Sequence, residues 1–477
     1  MTGPKVDIGR DLTVFVAKQS AYKLTDTAGE SYPETADAIR VITGSAGGTI
    51  NFAPQESKFG TATAVSGIPQ KRTGEGSFEG YVMPSGTRTT APDMDELLTA
   101  SGWTKVDRSA TTTTVSGGSS TAKRVDLASS TGFAIGDPVI VETGNGTGLY
   151  EMRRVDGVDT SGTDITVEPP LTFSPAASAN VKGGIGYKPS DTRDTAEDAL
   201  ALWVMNNNSA DRIAGWTPDS ASFTQGGEDA ARISISGSGR RHDRLFQTSL
   251  DGAILIGAGT MVVNDALASA GDAVNTYWQI EDEVVKVTAI SGTTWTITRA
   301  QVGTAAAAHS DADAVYPYQP AGTYAGDPVA ATSGQAIIAE YAGTEATEVQ
   351  VNSATLDCGF AVAMREDIHG DLYKSDGYVM GQREVRATLS GWTLRDDNMA
   401  SAMQAWDVTN IAGASSQQVS VAIVSGEVEG KMFGWVAPRM RMEDVSLDRG
   451  AEEVTLDLTG LCEGTSAGAD EILLMFG

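Results

Sequence analysis

Two pairs of segments in this chain repeat one another, and a chain that repeats itself folds into units that repeat as well. The first pair reads as two small, turn-rich β units. One runs from Thr104 to Tyr187 and carries GDPV (Gly136 to Val139), YEMRRV, TDITVEPPL and ANV ending at Val181. The other runs from Asp251 to Tyr318 and carries GDAV (Gly271 to Val274), DEVVKV, TTWTITRAQ and DAV ending at Val315. From Gly-Asp to the final Val is 45 residues in one and 44 in the other. Each block alternates apolar and polar residues over short runs, as half-buried strands do.

The second repetition appears once these two inserts are set aside. The first half has TGEGSFEGYVM, PDMDELLTASGW, ALALWVMNNN, GWTPDSASF and ARISISGSG; the second has GQREVRATLSGW, DDNMASAMQAW, VSVAIVSGEV, GWVAPRMRM and EVTLDLTGL. The order in both is strand, helix, strand, Gly-Trp turn, strand. Trp103 and Trp406 close the two helices, and Gly215-Trp216 and Gly434-Trp435 each precede a proline. About 325 residues remain outside the inserts, or about 160 per half, a normal domain size.

The expected organisation is therefore an N-terminal arm (1–40), a first domain in two parts (41–103 and 188–250), inserts at 104–187 and 251–318, a linker (319–334) and a second domain (335–477). The 54 glycines and the recurring Thr, Ser, Val and Ala in alternating runs make the whole mainly β. Each domain is expected to be a β-sandwich or half-barrel with one short flanking α-helix.

In the first helix Pro92 suits the first helical position, Asp93, Asp95 and Glu96 favour the positive end of the dipole, and Gly102 supplies the stop. In the second, Asp396 or Asp397 can cap, and Met399, Met403 and Trp406 share one face. Strand faces follow from the period of two. Glu75, Ser77 and Glu79 oppose Phe78 and Val82. Glu384, Arg386, Thr388 and Ser390 oppose Val385, Ala387 and Leu389. Arg232, Ser234 and Ser236 oppose Ile233 and Ile235, and Glu453, Thr455, Asp457 and Thr459 oppose Val454, Leu456 and Leu458. Each sheet thus has a dry face and a wet one.

Lys and Arg total 34 against 62 Asp and Glu, a formal net charge of −28. Such a surface repels the phosphate backbone and argues against conventional duplex binding. Cys358 and Cys462 lack metal-ligand spacing and read as two thiols. The N-terminus carries no signal pattern, and no apolar run reaches the ~20 residues that span a bilayer. Catalytic patterns do not emerge. His242, His309 and His369 build no triad; Asp367, His369 and Asp371 read as a solvated loop; Gly144 to Gly148 lacks the strand and helix of a phosphate loop. The expectation is no enzyme activity, no metal and no cofactor. One basic cluster, Arg240, Arg241 and Arg244 with His242, suggests a contact for an acidic surface on a neighbouring subunit.

The strand–loop–helix FEGYVMPSGTRTTAPDMDELLTASGW, the segment SASFTQGGEDAARISISGSG and the C-terminal APRMRMEDVSLDRGAEEVTLDLTGL resemble the major tail tube proteins of phages with long, non-contractile tails. The resemblance covers the two halves and not the inserts. It implies rings that stack into a hollow tube conducting the genome. Two tube domains per chain would let three chains close a pseudo-six-fold ring, with the inserts decorating its exterior. It also implies a virion protein assembled in the host cytoplasm, with itself, the tape measure protein, the tail terminator and distal tail proteins as partners. Double-stranded DNA would pass through the bore without specific binding. Glu75, Ser77, Glu79, Glu384, Arg386 and Thr388 are the candidate lumen-facing residues. A β-modular virion surface or adhesion protein, and another tail ring component such as a terminator or baseplate hub, remain alternatives.

Overall fold

The computed structural model describes residues 12–19, 32–53, 68–117, 119–190, 200–226, 229–265, 274–331, 334–360, 362–364, 378–393, 418–448, 455–465 and 468–477. The protein is mainly β, and its largest sheet links eighteen strands. Twelve of these fall into two sets. The first set is β1 (Thr13–Lys18), β2 (Thr43–Ala53), β3 (Ile68–Tyr81), β4 (Leu200–Asn206), β5 (Ser209–Gly226) and β6 (Arg232–Gly239). The second is β7 (Gly334–Glu340), β8 (Ser353–Gly359), β9 (Glu384–Thr393), β10 (Gln418–Ser425), β11 (Phe433–Asp448) and β12 (Thr455–Cys462).

Pairing within the first set runs β2-β3-β6-β5-β4-β1. Within the second it runs β8-β9-β12-β11-β10-β7. The two orders correspond strand for strand. In each, a further short strand follows the closing hairpin and covers the first part of the longest strand: Arg241–Phe246 lies on β5 and Leu473–Phe476 on β11. The sets join edge to edge where Ser220–Gly226 of β5 pairs with β8.

The inserts form two six-stranded antiparallel sheets. Numbering the strands of each from its own start, both have the order 1-6-3-4-5-2. The first sheet spans Thr112 to Gly183 and the second Thr248 to Pro317. The first is narrower than the sequence suggests. Trp103–Asp107 pairs with Ile185–Pro189, which pairs in turn with Leu473–Phe476, so both belong to the large sheet. Their side chains explain it: Trp103, Ile185 and Tyr187 are buried in the main core with Phe476.

Several other expectations change. The N-terminal segment is no free arm: Thr13–Lys18 pairs along β4, and Val14, Phe15 and Val16 are buried. The Gly-Trp pairs are not turns. Gly215-Trp216 lies inside the eighteen-residue β5 and Gly434-Trp435 near the start of β11. Irregular register at Pro218–Ser220 and Met442–Asp444 lets each strand bend while continuing. Helix α1 begins at Asp95, not Pro92, with Met94 as its cap. Leu97, Leu98 and Ala100 bury its inner face, and Gly102 at φ 86° ends it. Trp103 starts the next strand rather than closing the helix. The expected second helix, the Asp367–Asp371 loop and the start of the last expected strand at Glu453 and Val454 lie outside the described residues.

The inserts are not independent modules on a finished wall. β4 is apolar on both faces. Leu200, Leu202 and Val204 enter the main core, while Ala201, Trp203 and Met205 face the second insert and pack with Trp278, Val285 and Trp295. β10 is built alike: Val419, Val421 and Ile423 face the main core, and Ala422 and Val424 pack with Ile140, Tyr150 and Met152 of the first insert. Each set of strands thus carries one insert on the same corresponding strand. The first insert interrupts the first set in sequence yet docks on the second.

Deleting 112–183 with a short linker is therefore expected to expose Ile337, Ala422, Val424 and Val436. The shortened protein should bind a hydrophobic dye and melt at a lower temperature than the parent; equal melting and no dye binding would show that the docking contributes nothing.

Candidate functional site: a continuous polar sheet face

The wet face of the large sheet runs without a break across β2, β3, β6, β5, β8, β9, β12 and β11. Alternation places it: Phe78, Ile233, Ile235, Ala221, Phe223, Ala354, Leu356, Val385, Ala387, Leu456 and Leu458 point into the core, so their neighbours point out. The β5–β8 junction keeps this alternation in phase. Phe223 opposes Leu356 inside, and Ser222 opposes Asp357 outside.

All six candidate lumen residues lie on this face. Glu75 is exposed and Ser77 and Glu79 are half-buried; Glu384 and Arg386 are exposed and Thr388 is half-buried. Hydroxyl groups meet across strands: Ser45 and Ser77 Oγ are 3.0 Å apart, Ser220 and Ser236 Oγ 2.7 Å, and Thr388 and Thr459 Oγ1 3.2 Å. Ser236 also donates to Asp219 at 2.9 Å.

Two arginines of this face are each paired with two acids. Arg232 holds Glu79 at 2.9 Å and also binds Asp229. Backbone donation from Ala230 and the Arg232 contact keep the Asp229 carboxyl below its ordinary range. Arg386 sits 2.5 Å from Glu384 and also binds Glu443. The two expected sets of lumen residues are carried on one surface, with the ion pairs adding Arg232, Asp229 and Glu443 to it. Glu443 was legible only as part of a polar run; its contact with Arg386 depends on the order β9-β12-β11.

The basic cluster is not the open patch its sequence suggests. Arg240 and Arg241 are 7 % and 4 % exposed. Arg241 binds Asp243 at 2.5 Å, and Arg212 binds the same carboxylate through Nη2 at 2.5 Å and Nε at 3.0 Å. Arg244 pairs with Asp211 at 2.5 Å, and His242 Nε2 lies 2.9 Å from the same Asp211 carboxylate. The signal was present as two Asp-Arg dipeptides, 211–212 and 243–244, which antiparallel pairing lays crosswise: Asp211 opposes Arg244, and Arg212 opposes Asp243. Burial would raise the Asp243 carboxyl, but Arg212 and Arg241 hold it below its usual range.

Among the described residues no helix is long and apolar enough to cross a membrane. No protein-family model and no curated protein matches the chain.

Asp243→Asn would leave two buried guanidinium groups short of their counter-charge and should cost about 3–5 kcal/mol. Because Asp243 titrates below its unfolded value, its contribution is complete above about pH 4 and is lost as pH falls through the lowered native value. Urea unfolding of parent and variant at pH 7 and pH 3 checks both: the gap should narrow at pH 3.

Proposed function

We propose that this protein is a structural subunit, not an enzyme, and that it closes into rings that stack as a tail tube with the polar sheet face lining the bore. The β5–β8 junction is the observation that carries the reading. It joins the second set of strands to the first through one edge of β8 and one edge of β5. The corresponding edges of the whole chain, on β2 and on the last part of β11, have no strand partner among the described residues. An open strand edge is a liability unless something pairs with it. A second copy can repeat across those edges the joint already made inside the chain, and a sheet that curves with every joint returns on itself. With two strand sets per chain, three chains complete a six-part ring, and the bore is a wet face rich in hydroxyls and carboxylates. The inserts, on the opposite side of β4 and β10, then lie outside.

Equivalence fixes the register of the joint. Ile235 opposes Phe78 and Ala221, and Phe78 opposes Gly44. Leu458 opposes Leu389 and Val445, and Leu389 opposes Ala354. Gly44 thus corresponds to Ala354 and Val445 to Ala221. Since Ser222 opposes Asp357 within the chain, Ser446 should oppose Gly47 of the next chain. A side chain at Gly47 has open space around it, and Ser446 is exposed. The native thiols do not interfere: Cys358 and Cys462 are buried, and burial pushes Cys462 up to about 12.

Electron microscopy of the purified parent should show rings or tubes. Oxidising the Gly47→Cys, Ser446→Cys double variant should give covalent species ending at three chains on a non-reducing gel, with neither single variant forming them. Assembled rings without crosslinks would refute the joint, and a ladder continuing to six would refute the stoichiometry.

The lining makes a second expectation. DNA carries a negative charge about every 1.7 Å of its axis, so a fixed cation in the bore would bind it. Glu75→Lys changes the charge without touching the Arg232–Glu79 pair. Tubes should still form, while DNA ejection slows, most at low salt where screening is weakest. Ejection at the parental rate by well-formed mutant tails would sink the electrostatic part of the reading.

A further inference from the structure

The second insert contains a side-chain constellation that the tube reading does not use. Its turn between Tyr277–Ile280 and Glu283–Ser291 brings Glu281 and Glu283 to one end of the sheet, and the crossing segment 299–313 passes over them. Glu283 holds that segment down. Its carboxylate accepts Arg299 Nε at 2.6 Å and Nη2 at 2.5 Å, and the backbone N–H groups of Ala300 at 3.1 Å and Ala307 at 3.0 Å. A carboxylate receiving those donors is ionised and can only accept.

His309 is 3 % exposed and lies 2.9 Å through Nε2 from Glu283 Oε2. Its Nε2 must therefore be the donor, which in the neutral ring leaves a lone pair on Nδ1. That lone pair faces Glu281 Oε2 at 3.1 Å, and a carboxylate oxygen is itself an acceptor. Two lone pairs at that distance repel unless a proton or a metal cation lies between them. Asp313 completes the group: one ligand atom each from Glu281, His309 and Asp313 all fall within 4.8 Å of one another. Neighbouring ligand atoms on a tetrahedral ion with bonds near 2.0 Å are about 3.3 Å apart, so the His309–Glu281 spacing already suits two ligands of one ion.

We propose that Glu281, His309 and Asp313 bind a divalent transition-metal ion of the zinc type, with Glu283 positioning the imidazole from behind. One nitrogen and two carboxylate oxygens suit such a cation better than magnesium or calcium, which take oxygen alone. A carboxylate behind the far nitrogen of a metal-bound histidine is the usual means of fixing its tautomer. Glu281 is largely exposed, so the fourth position opens to water. The ion would tie the crossing segment to the turn. His309 exchanges two backbone hydrogen bonds with Ile254, whose neighbours Leu255 and Ile256 form an exposed apolar tip, so the tie also steadies that tip.

The test uses the full chain, stripped with a chelator and dialysed at pH 7.5 against zinc chloride. Parent protein should take up one equivalent at micromolar free zinc, measured by elemental analysis, and its melting temperature should rise. Glu281→Ala changes a side chain that is 61 % exposed, so it should fold as the parent does and bind zinc about tenfold more weakly or worse. His309→Gln should lose the equivalent altogether, and magnesium should not displace zinc. No uptake at about 100 μM free zinc would show that the 3.1 Å contact is held by a proton alone and would overturn the site. Uptake unchanged in Glu281→Ala would place the ion elsewhere and overturn it equally.

Discussion

The structure depends on seven residues of main-chain pairing, Ser220–Gly226 of β5 against β8. This ladder converts two separate sheets into one. Its hydrogen bonds are worth only about 1 kcal/mol each after exchange with water, and they would form in any register. Side chains choose the register. Ala221 and Phe223 on one strand, and Ala354, Leu356 and Cys358 on the other, all enter the same core. A slip by one residue would turn them out and put Ser222, Thr224, Thr355 and Asp357 in. Burying one large apolar side chain contributes roughly 1.5–3 kcal/mol, and several move together, so burial decides the matter. The continuity of the polar face is a by-product of that choice.

The same physics explains why the inserts are where they are. β4 reads as the unbroken apolar run LALWVM and β10 as VSVAIV, apolar but for Ser420, which a strand buried on one side does not need. Their second faces have to be covered. Trp203 shows how tightly this is done: it is 1 % exposed, its ring tilted against Tyr32 and lying under Arg212 as well as packed within the second insert's core. The inserts share their strand order because they answer one requirement twice. They also share a device. Glu151 and Glu283 lie second and first in corresponding strands, and each accepts hydrogen bonds from the segment following the fifth strand, Thr172 in one case and Arg299, Ala300 and Ala307 in the other.

What could be read in the sequence was periodic or repeated. The alternation in β3, β6, β9 and β12 placed Glu75, Glu79, Arg232 and Glu384 on one face without knowledge of which strands were neighbours, because a period of two needs no partner. The inserts were legible because they recur at nearly equal length. The failures share a cause: each needed a partner distant in sequence. TVFVAK at 13–18 is too short to stand out from an arm until β4 lies beside it. Gly-Trp reads as a turn because glycine permits one, yet Trp216 and Trp435, both fully buried, hold the chain inside a strand. The arginines at 240–244 read as an exposed cation patch because Asp211 and Arg212, which pair with their neighbours, lie some thirty residues earlier. The docking of the first insert on the second set of strands had no local signal at all.

The pairing of charges on the polar face bears on what that face can do. Its arginines are not free cations: Arg232 is shared by Glu79 and Asp229, Arg386 by Glu384 and Glu443. Each guanidinium with its two carboxylates carries a local charge of −1. A phosphate approaching such a group meets donors already committed to oxygens and an excess of negative charge around them. Removing one carboxylate would leave a neutral pair, and removing both would leave a phosphate-binding arginine. Between these groups lie serine and threonine hydroxyls that satisfy one another across strands. In the proposed bore this combination keeps water at the wall and leaves neither guanidinium free to hold a passing polyanion. The net charge of the chain sets only a distant field, screened within about 8 Å at physiological salt. The fixed pairs of acids on Arg232 and on Arg386 act at contact, where salt screens least.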